Sequence, residues 1–482
     1  MALRATSLIT TAAVLVAAAD PSLKLKTYVD ALKLDGDFNP VIEAYWTGLP
    51  HHRRTPFAVS PDGKTGYLAY LSSSGSGVSV QHVDTSTFAG TGATVTIDNV
   101  KEAGGLVGHN DGFALLGNEP IASGVGNAPP GNTPVPAIYK YTNGEQTFKT
   151  FVAGPGVHEA DGLSMAPDMN GDLVYSKEAE LYGAYVVVTN YNGQAEGHFG
   201  DSIQYVNSNG TLEVIDGASS SWGCSHNTGI AFEAADEAPF ASICAEDQGA
   251  IWLNTKTQGM DASGVKISNE NTTNGAGGEA MGGMSGSYSN LARFINSTSY
   301  IFAWVSRGAV ELTANEWMGD GYTAALNRTN GRRVAIALFS DKETKVSAQA
   351  SSEIGAAGDD QVNWLTSEIG PDRSNAHAAA FDSEYALISW EQIDAPQCAF
   401  VAMGCKGTFS GSYFQLVNSD GKAVGEPVKD MDTYVAGDMV TMNDGSICWP
   451  YVSMKWELNQ PALYGTMLKN ATSMSFACMS LV

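Results

Sequence analysis

From Thr55 to Ser453 one unit of sequence recurs seven times: a short strand of small residues, a tight polar turn, then a more hydrophobic strand ending in polar or charged residues. The copies are TPFAVSPDGKTGYLAYL from Thr55, GGLVGHNDGFALLGNE from Gly104, DGLSMAPDMNGDLVYSKE from Asp161 and NTGIAFEAADEAPFASICAED from Asn227. They continue as SNLARFINSTSYIFAWVSR from Ser289, SNAHAAAFDSEYALISWEQ from Ser374 and GDMVTMNDGSICWPYVS from Gly437. Their starts lie 49, 57, 66, 62, 85 and 63 residues apart. A four-stranded blade takes about 40 to 50 residues, with insertions confined to loops. The expected fold is therefore all-β, a seven-bladed β-propeller, with the Ala- and Gly-rich first strand of each unit innermost, where the axis leaves little room for side chains. Helical periodicity is almost absent from residue 40 onward. The stretch FNPVIEAYWTG from Phe38 is expected to supply the outer strand that closes the last blade, so that no sheet edge stays open. The Gly- and Ser-rich segment from Gly275 to Gly286 reads as a loop before blade five.

The N-terminal segment is expected to direct this domain out of the cell. Residues 1–19 carry Arg4, an apolar run from Leu8 to Val16 and the small residues Ala17 to Ala19, the pattern of a secretory signal peptide. Residues 20–482 then form a single propeller domain, expected to be a secreted monomer. The six cysteines suit an oxidising compartment, and nearest-neighbour pairing gives Cys224 with Cys244, Cys398 with Cys405, and Cys448 with Cys478. Asn-x-Ser/Thr sequons at Asn209, Asn271, Asn296, Asn327 and Asn470 suggest a glycoprotein if the host is a eukaryote. The formal charge of -25 opposes association with nucleic acid or an anionic membrane. Neither a Gly-x-Ser-x-Gly elbow, a Walker loop nor a dinucleotide fingerprint stands in an appropriate context, which argues against a serine hydrolase, an NTPase or a Rossmann oxidoreductase.

Propeller topology brings the starts of inner strands and the ends of second strands to one funnel. The first set holds His51, His52, Arg53, Arg54, Glu102, His158, Glu159, Asp161, His226, Asn227, Tyr288, Asn290, Arg373, Asn375, His377 and Asp438. The second holds Glu119, Glu178, Glu246, Arg307 and Glu391. His226, in WGCSHNTG, sits beside Cys224 and near Trp222, an indole suited to stacking on a sugar face. His158, Glu159 and Asp161 read as a metal-ligating cluster, with calcium favoured, as an acid-base cluster or as an ordinary loop; no cofactor is otherwise required. His109 in GHNDG falls in a hairpin turn on the opposite face. Arg53, Arg54, Arg307 and Arg373 suit carboxylates, whether of a ligand or of Glu391, Glu246 and Asp438.

The segments WGCSHNTG, YIFAWVSRG, NAHAAAFDSEYALISWEQ and LPHHRRTPFAVSPDG resemble a fungal secreted propeller family that includes rhamnose-glucuronate lyases acting on gum arabic side chains. The resemblance implies β-elimination on a uronate-containing oligo- or polysaccharide: loss of the C5 proton of glucuronate, neutralisation of its carboxylate, and departure of O4. Strand position alone assigns the parts. His226 or His158 would be the base, one of the four arginines would neutralise the carboxylate, and Tyr288 would protonate the leaving oxygen. Trp222, Asn227, Asn290, His377 and Glu391 would line the sugar site. A carbohydrate-binding lectin would use the same funnel without proton transfer, and a glycoside hydrolase would instead need two carboxylates.

Overall fold

The computed structural model describes residues 21–482 except 44–47, 160–161, 220–222, 225–226, 247–250, 257–264, 269–285, 307–308, 315–322, 329–330, 347–361, 401–403, 461, 463–466 and 468. The seven repeats become seven antiparallel sheets of four or five strands, arranged as a β-propeller, with two further two-stranded hairpins. Inner strands begin the blades at Phe57–Val59, Ala103–His109, Gly171–Ser176, Asn227–Glu233, Leu291–Arg293, Asp372–Ala380 and Val440–Thr441. Seven apolar clusters fill the seven seams between neighbouring blades. Ala58, Tyr67, Leu106 and Leu115 share one, and Ile301, Val305, Ala378 and Ile388 another.

Small residues on the inner strands follow from how closely these strands approach. A Cβ on Gly105 would lie 2.6 Å from the backbone nitrogen of Leu173 in blade three, and one on Gly108 would lie 2.8 Å from the carbonyl carbon of Val59 in blade one. Side chains there would push blades apart.

Closure does come from the N-terminus, but from a strand upstream of the expected one. Leu23–Phe38 pairs antiparallel with the last strand, Ala471–Leu481, in register from Leu23 opposite Leu481 to Phe38 opposite Ala471, across two bulges. The expected stretch instead forms a separate hairpin, Val41–Glu43 against Pro50–His52. That hairpin carries the chain to the funnel face just before blade one.

Blade three departs from the expected register. Gly171–Ser176 pairs with Leu181–Asn190 as the inner strand, and its turn spans residues 177–180. Ser164–Met165 pairs with the far end of the same second strand, so the Asp-Met-Asn-Gly segment interrupts one inner strand rather than turning a hairpin. Glu178 consequently lies in the turn on the opposite face, and Asp172 reaches the axis.

All three expected disulfides are present, joining Cys224 to Cys244, Cys398 to Cys405, and Cys448 to Cys478. Among the described residues no helix is long and apolar enough to cross a membrane. In blade six the second and third strands, Tyr385–Phe400 and Gly404–Asn418, run far past the body of the sheet. Blade five inserts a hairpin, Ala309–Ala314 against Thr323–Arg328, at the corresponding position. Both extensions rise on the face where second strands end.

Candidate functional site

Five chain segments that are remote in sequence meet at this face: residues 51–54, Tyr288 ahead of blade five, Asn375 and His377 with Glu391 in blade six, Asp438 ahead of blade seven, and Trp456 after blade seven's second strand. Glu391, at the end of its blade body on the second strand, is almost fully buried, and its carboxylate accepts three hydrogen bonds. His52 Nε2 lies 2.8 Å from Oε1, Asn375 Nδ2 donates to Oε1 at 2.8 Å, and Trp456 Nε1 donates to Oε2 at 2.9 Å. Burial pushes the Glu391 carboxyl up, but His52 and these hydrogen bonds outweigh it and hold it below its usual value. His52 stacks on Trp456 with ring centroids 3.7 Å apart.

Three more side chains extend this cluster. His377 Nδ1 lies 3.0 Å from the Tyr288 carbonyl oxygen, and its ring stacks on the Tyr288 ring at 4.8 Å. Burial pushes His377 down to about 4, against the opposing pull of the Tyr288 carbonyl and Glu391. The Tyr288 hydroxyl is buried without a hydrogen-bond partner among the described residues. Burial raises its pKa, while Arg54, with Cζ 4.6 Å from the ring centroid, works in the opposite direction. His51 is half-buried. Its Nδ1 lies 2.9 Å from the His52 carbonyl oxygen, which makes Nδ1 the protonated nitrogen and leaves a lone pair on Nε2. Burial lowers His51, so this ring is neutral near pH 7.

Arg54 closes the axis. Its Nη1 donates to the Gly104 and Gly171 carbonyls, and its Nη2 donates to Asp172 at 2.7 Å and Asp438 at 2.6 Å. One guanidinium thereby ties blade one's entry to blades two, three and seven, with only its buried Nε unpaired among the described residues. Burial lifts Asp172 to about 7, beyond what Arg54 recovers and with the Asp438 charge adding to the rise.

The other predicted residues are distributed unevenly. Arg53 pairs with Glu102 at the rim. Asn290 is buried and donates to the Ala376 carbonyl at 2.7 Å, joining blades five and six. Arg373 faces away from the cluster, with Gln392 and Glu368 as partners. His158 is buried against blade three's third strand, 3.1 Å from the Ser202 hydroxyl, whereas Glu159 is exposed and accepts from the Gly156 amide. Glu119 turns into its own blade, accepting from Tyr139. His109 ends its inner strand beside the hairpin turn on the opposite face, rather than in the turn, with Nε2 2.7 Å from the Tyr182 hydroxyl. Trp222, His226, Asp161 and Arg307 lie outside the described residues, as do the side chains of Asn227 and Glu246. Among the described residues the one grouping of potential metal ligands is Asp201 with Cys224 and Cys244, whose sulfurs are joined in a disulfide.

No family model and no curated protein matches the chain. Among solved structures it is similar to a member of the DUF4221 family from Bacteroides vulgatus, at 8% identity and TM-score 0.40 over 96% of this chain and 99% of that one. An α-L-arabinanase from Cellvibrio cellulosa, complexed with arabinohexaose, matches at 10% identity and TM-score 0.30, over 67% of this chain and 93% of that one. A PL25 ulvan lyase bound to -[GlcA(1-4)Rha3S]- matches at 10% identity and TM-score 0.35, over 87% of this chain and 78% of that one. Identities this low supply no residue-by-residue correspondence, so the site stands on its own geometry.

Sequence position pointed to the funnel but not to its hub. Trp456 lies in the loop after blade seven's second strand, which no repeat or periodicity marks. Asp172 was hidden by the register of blade three. His51 and Asn375 were in the funnel set, and only the hydrogen bonds distinguish them from their neighbours.

Proposed function

We propose that this chain is a carbohydrate-active propeller whose funnel cleaves a uronate-containing polysaccharide by β-elimination at O4 of a glucuronate residue. One observation carries this reading: a neutral imidazole with a bare Nε2, on His51, stands in the same cluster as the buried, unpartnered phenol of Tyr288 and the Arg54 guanidinium. In the proposed step a histidine takes the C5 proton, the C5–H electrons form the C4=C5 double bond, and the C4–O4 bond breaks. Tyr288 delivers its proton to O4. The histidine is His51 or His226, and Arg53, at the rim beside Glu102, neutralises the uronate carboxylate as charge moves onto it. A burial-raised phenol suits the acid, because it holds its proton until an alkoxide develops.

A second reading has its own support. Asp172 and Asp438 share Nη2 of Arg54, and Asp172 is held protonated up to about 7. A raised carboxylic acid beside a second carboxylate is the arrangement of a glycoside hydrolase. Incubation with gum arabic and other uronate polymers separates the two. The lyase yields the ultraviolet absorbance of a conjugated unsaturated uronate, and Tyr288→Phe lowers that rate about 100-fold or more. Saturated reducing ends that vanish in Asp172→Asn indicate the hydrolase, and binding without product indicates a lectin.

A further inference from the structure

His377 presents both ring nitrogens to oxygen acceptors. Nδ1 lies 3.0 Å from the Tyr288 carbonyl and Nε2 lies 2.9 Å from Oδ1 of Asn375. The Asn375 amide is fixed, because its nitrogen donates to Glu391 Oε1 at 2.8 Å and to the Val435 carbonyl at 2.9 Å. Turning it end for end would exchange these two bonds for two contacts between acceptors. A neutral imidazole has one N–H, so either tautomer presses a bare nitrogen against an oxygen. Only the doubly protonated ring satisfies both sides. Its charge is balanced through a single amide by the Glu391 carboxylate, and a buried cation requires such a counter-charge.

We infer that His377 is held as an imidazolium by the Tyr288 carbonyl and the Asn375 amide, with Glu391 as counter-ion, so that Asn375 and Glu391 are positioning residues for Tyr288. The assignment of charge stands on hydrogen-bond geometry alone; its consequence for Tyr288 rests on the proposed function. Two cations, His377 and Arg54, then lie against one phenol ring, and both ease loss of its proton. The other charged or titratable groups facing this pair are His51, His52, Glu391 and Asp438.

Were burial, with the neighbouring His51 and His52, to outweigh the Tyr288 carbonyl and Glu391, His377 would be neutral above about pH 4. Histidine side-chain 15N NMR of the whole protein at pH 6, assigned by the signal lost in His377→Gln, therefore discriminates. We expect two protonated nitrogens of near-equal shift. One protonated and one bare nitrogen at pH 6 overturns the inference. Asn375→Leu should move the His377 titration midpoint down by about one to two pH units. Asn375→Asp, which keeps an acceptor and adds charge, should move it up. Shifts of the same sign in both variants, each checked for native circular dichroism, would mean mere loosening and also overturn the inference. Turnover is not needed for the measurement: a protonated His377 in a protein without lyase activity sinks the functional reading alone, and a neutral His377 in an active lyase sinks this inference alone.

Discussion

Glu391 accepts hydrogen bonds from the entry hairpin, from its own blade six and from the loop of blade seven. Replacing it by Gln removes the charge while keeping the shape, and the new amide nitrogen turns a donor toward donors. Breaking one member of such a buried set costs about 3 kcal/mol or more, so chemical denaturation of Glu391→Gln should show a loss of that size. The pH dependence has a definite sign. The folded carboxyl lies below its ordinary 4.5, so its stabilisation is complete above that value and is lost as pH falls through the lower folded value. The variant should show a shallower loss of stability in acid than the parent, and equal acid slopes would count against this account. None of this was legible from residue types: Glu391 stood in the sequence as one of several carboxylates at strand ends, and only three-dimensional convergence separates it from Glu119, which turns inward to Tyr139.

Strands were far more legible than contacts. An inner strand of small residues, a polar turn and an apolar strand are local patterns, and six of the seven copies fold with their hairpins where the pattern put them. The seventh, in blade three, misled because Asp-Met-Asn-Gly has the chemistry of a turn, yet pairing with Leu181–Asn190 continues on both sides of it. The closing strand was also available to be read. LKLKTYVDALKLDGDF opens with alternating apolar and charged residues, as expected of an outer strand with one wet face. Leu32 and Phe38 on this strand are fully buried against the last blade and blade one. Leu32→Ala should destabilise the protein by about 2 to 4 kcal/mol, and because this strand latches the ring, the loss should appear as earlier unfolding of the whole molecule in denaturant. A local opening of Leu23–Phe38 in hydrogen exchange, with the global midpoint unchanged, would show that the ring holds without its latch.

At the scale of the whole molecule the charge is the property sequence fixed most simply and the funnel modifies least. The chain has 51 acidic residues against 26 lysines and arginines. The described arginines nearest the funnel do not offset this field, since Arg53 is paired with Glu102 and Arg54 with both Asp172 and Asp438. An anionic polysaccharide therefore approaches against repulsion and meets local cations only at contact. Repulsion of this kind acts over about 30 Å at 0.01 M salt and about 8 Å at 0.15 M. Raising salt between these limits should tighten the apparent Kd for a uronate polymer, mainly through a faster association rate, and leave that for a neutral oligosaccharide unchanged. Weaker binding of the polymer at the higher salt would mean that local cations, not the net charge, dominate the encounter.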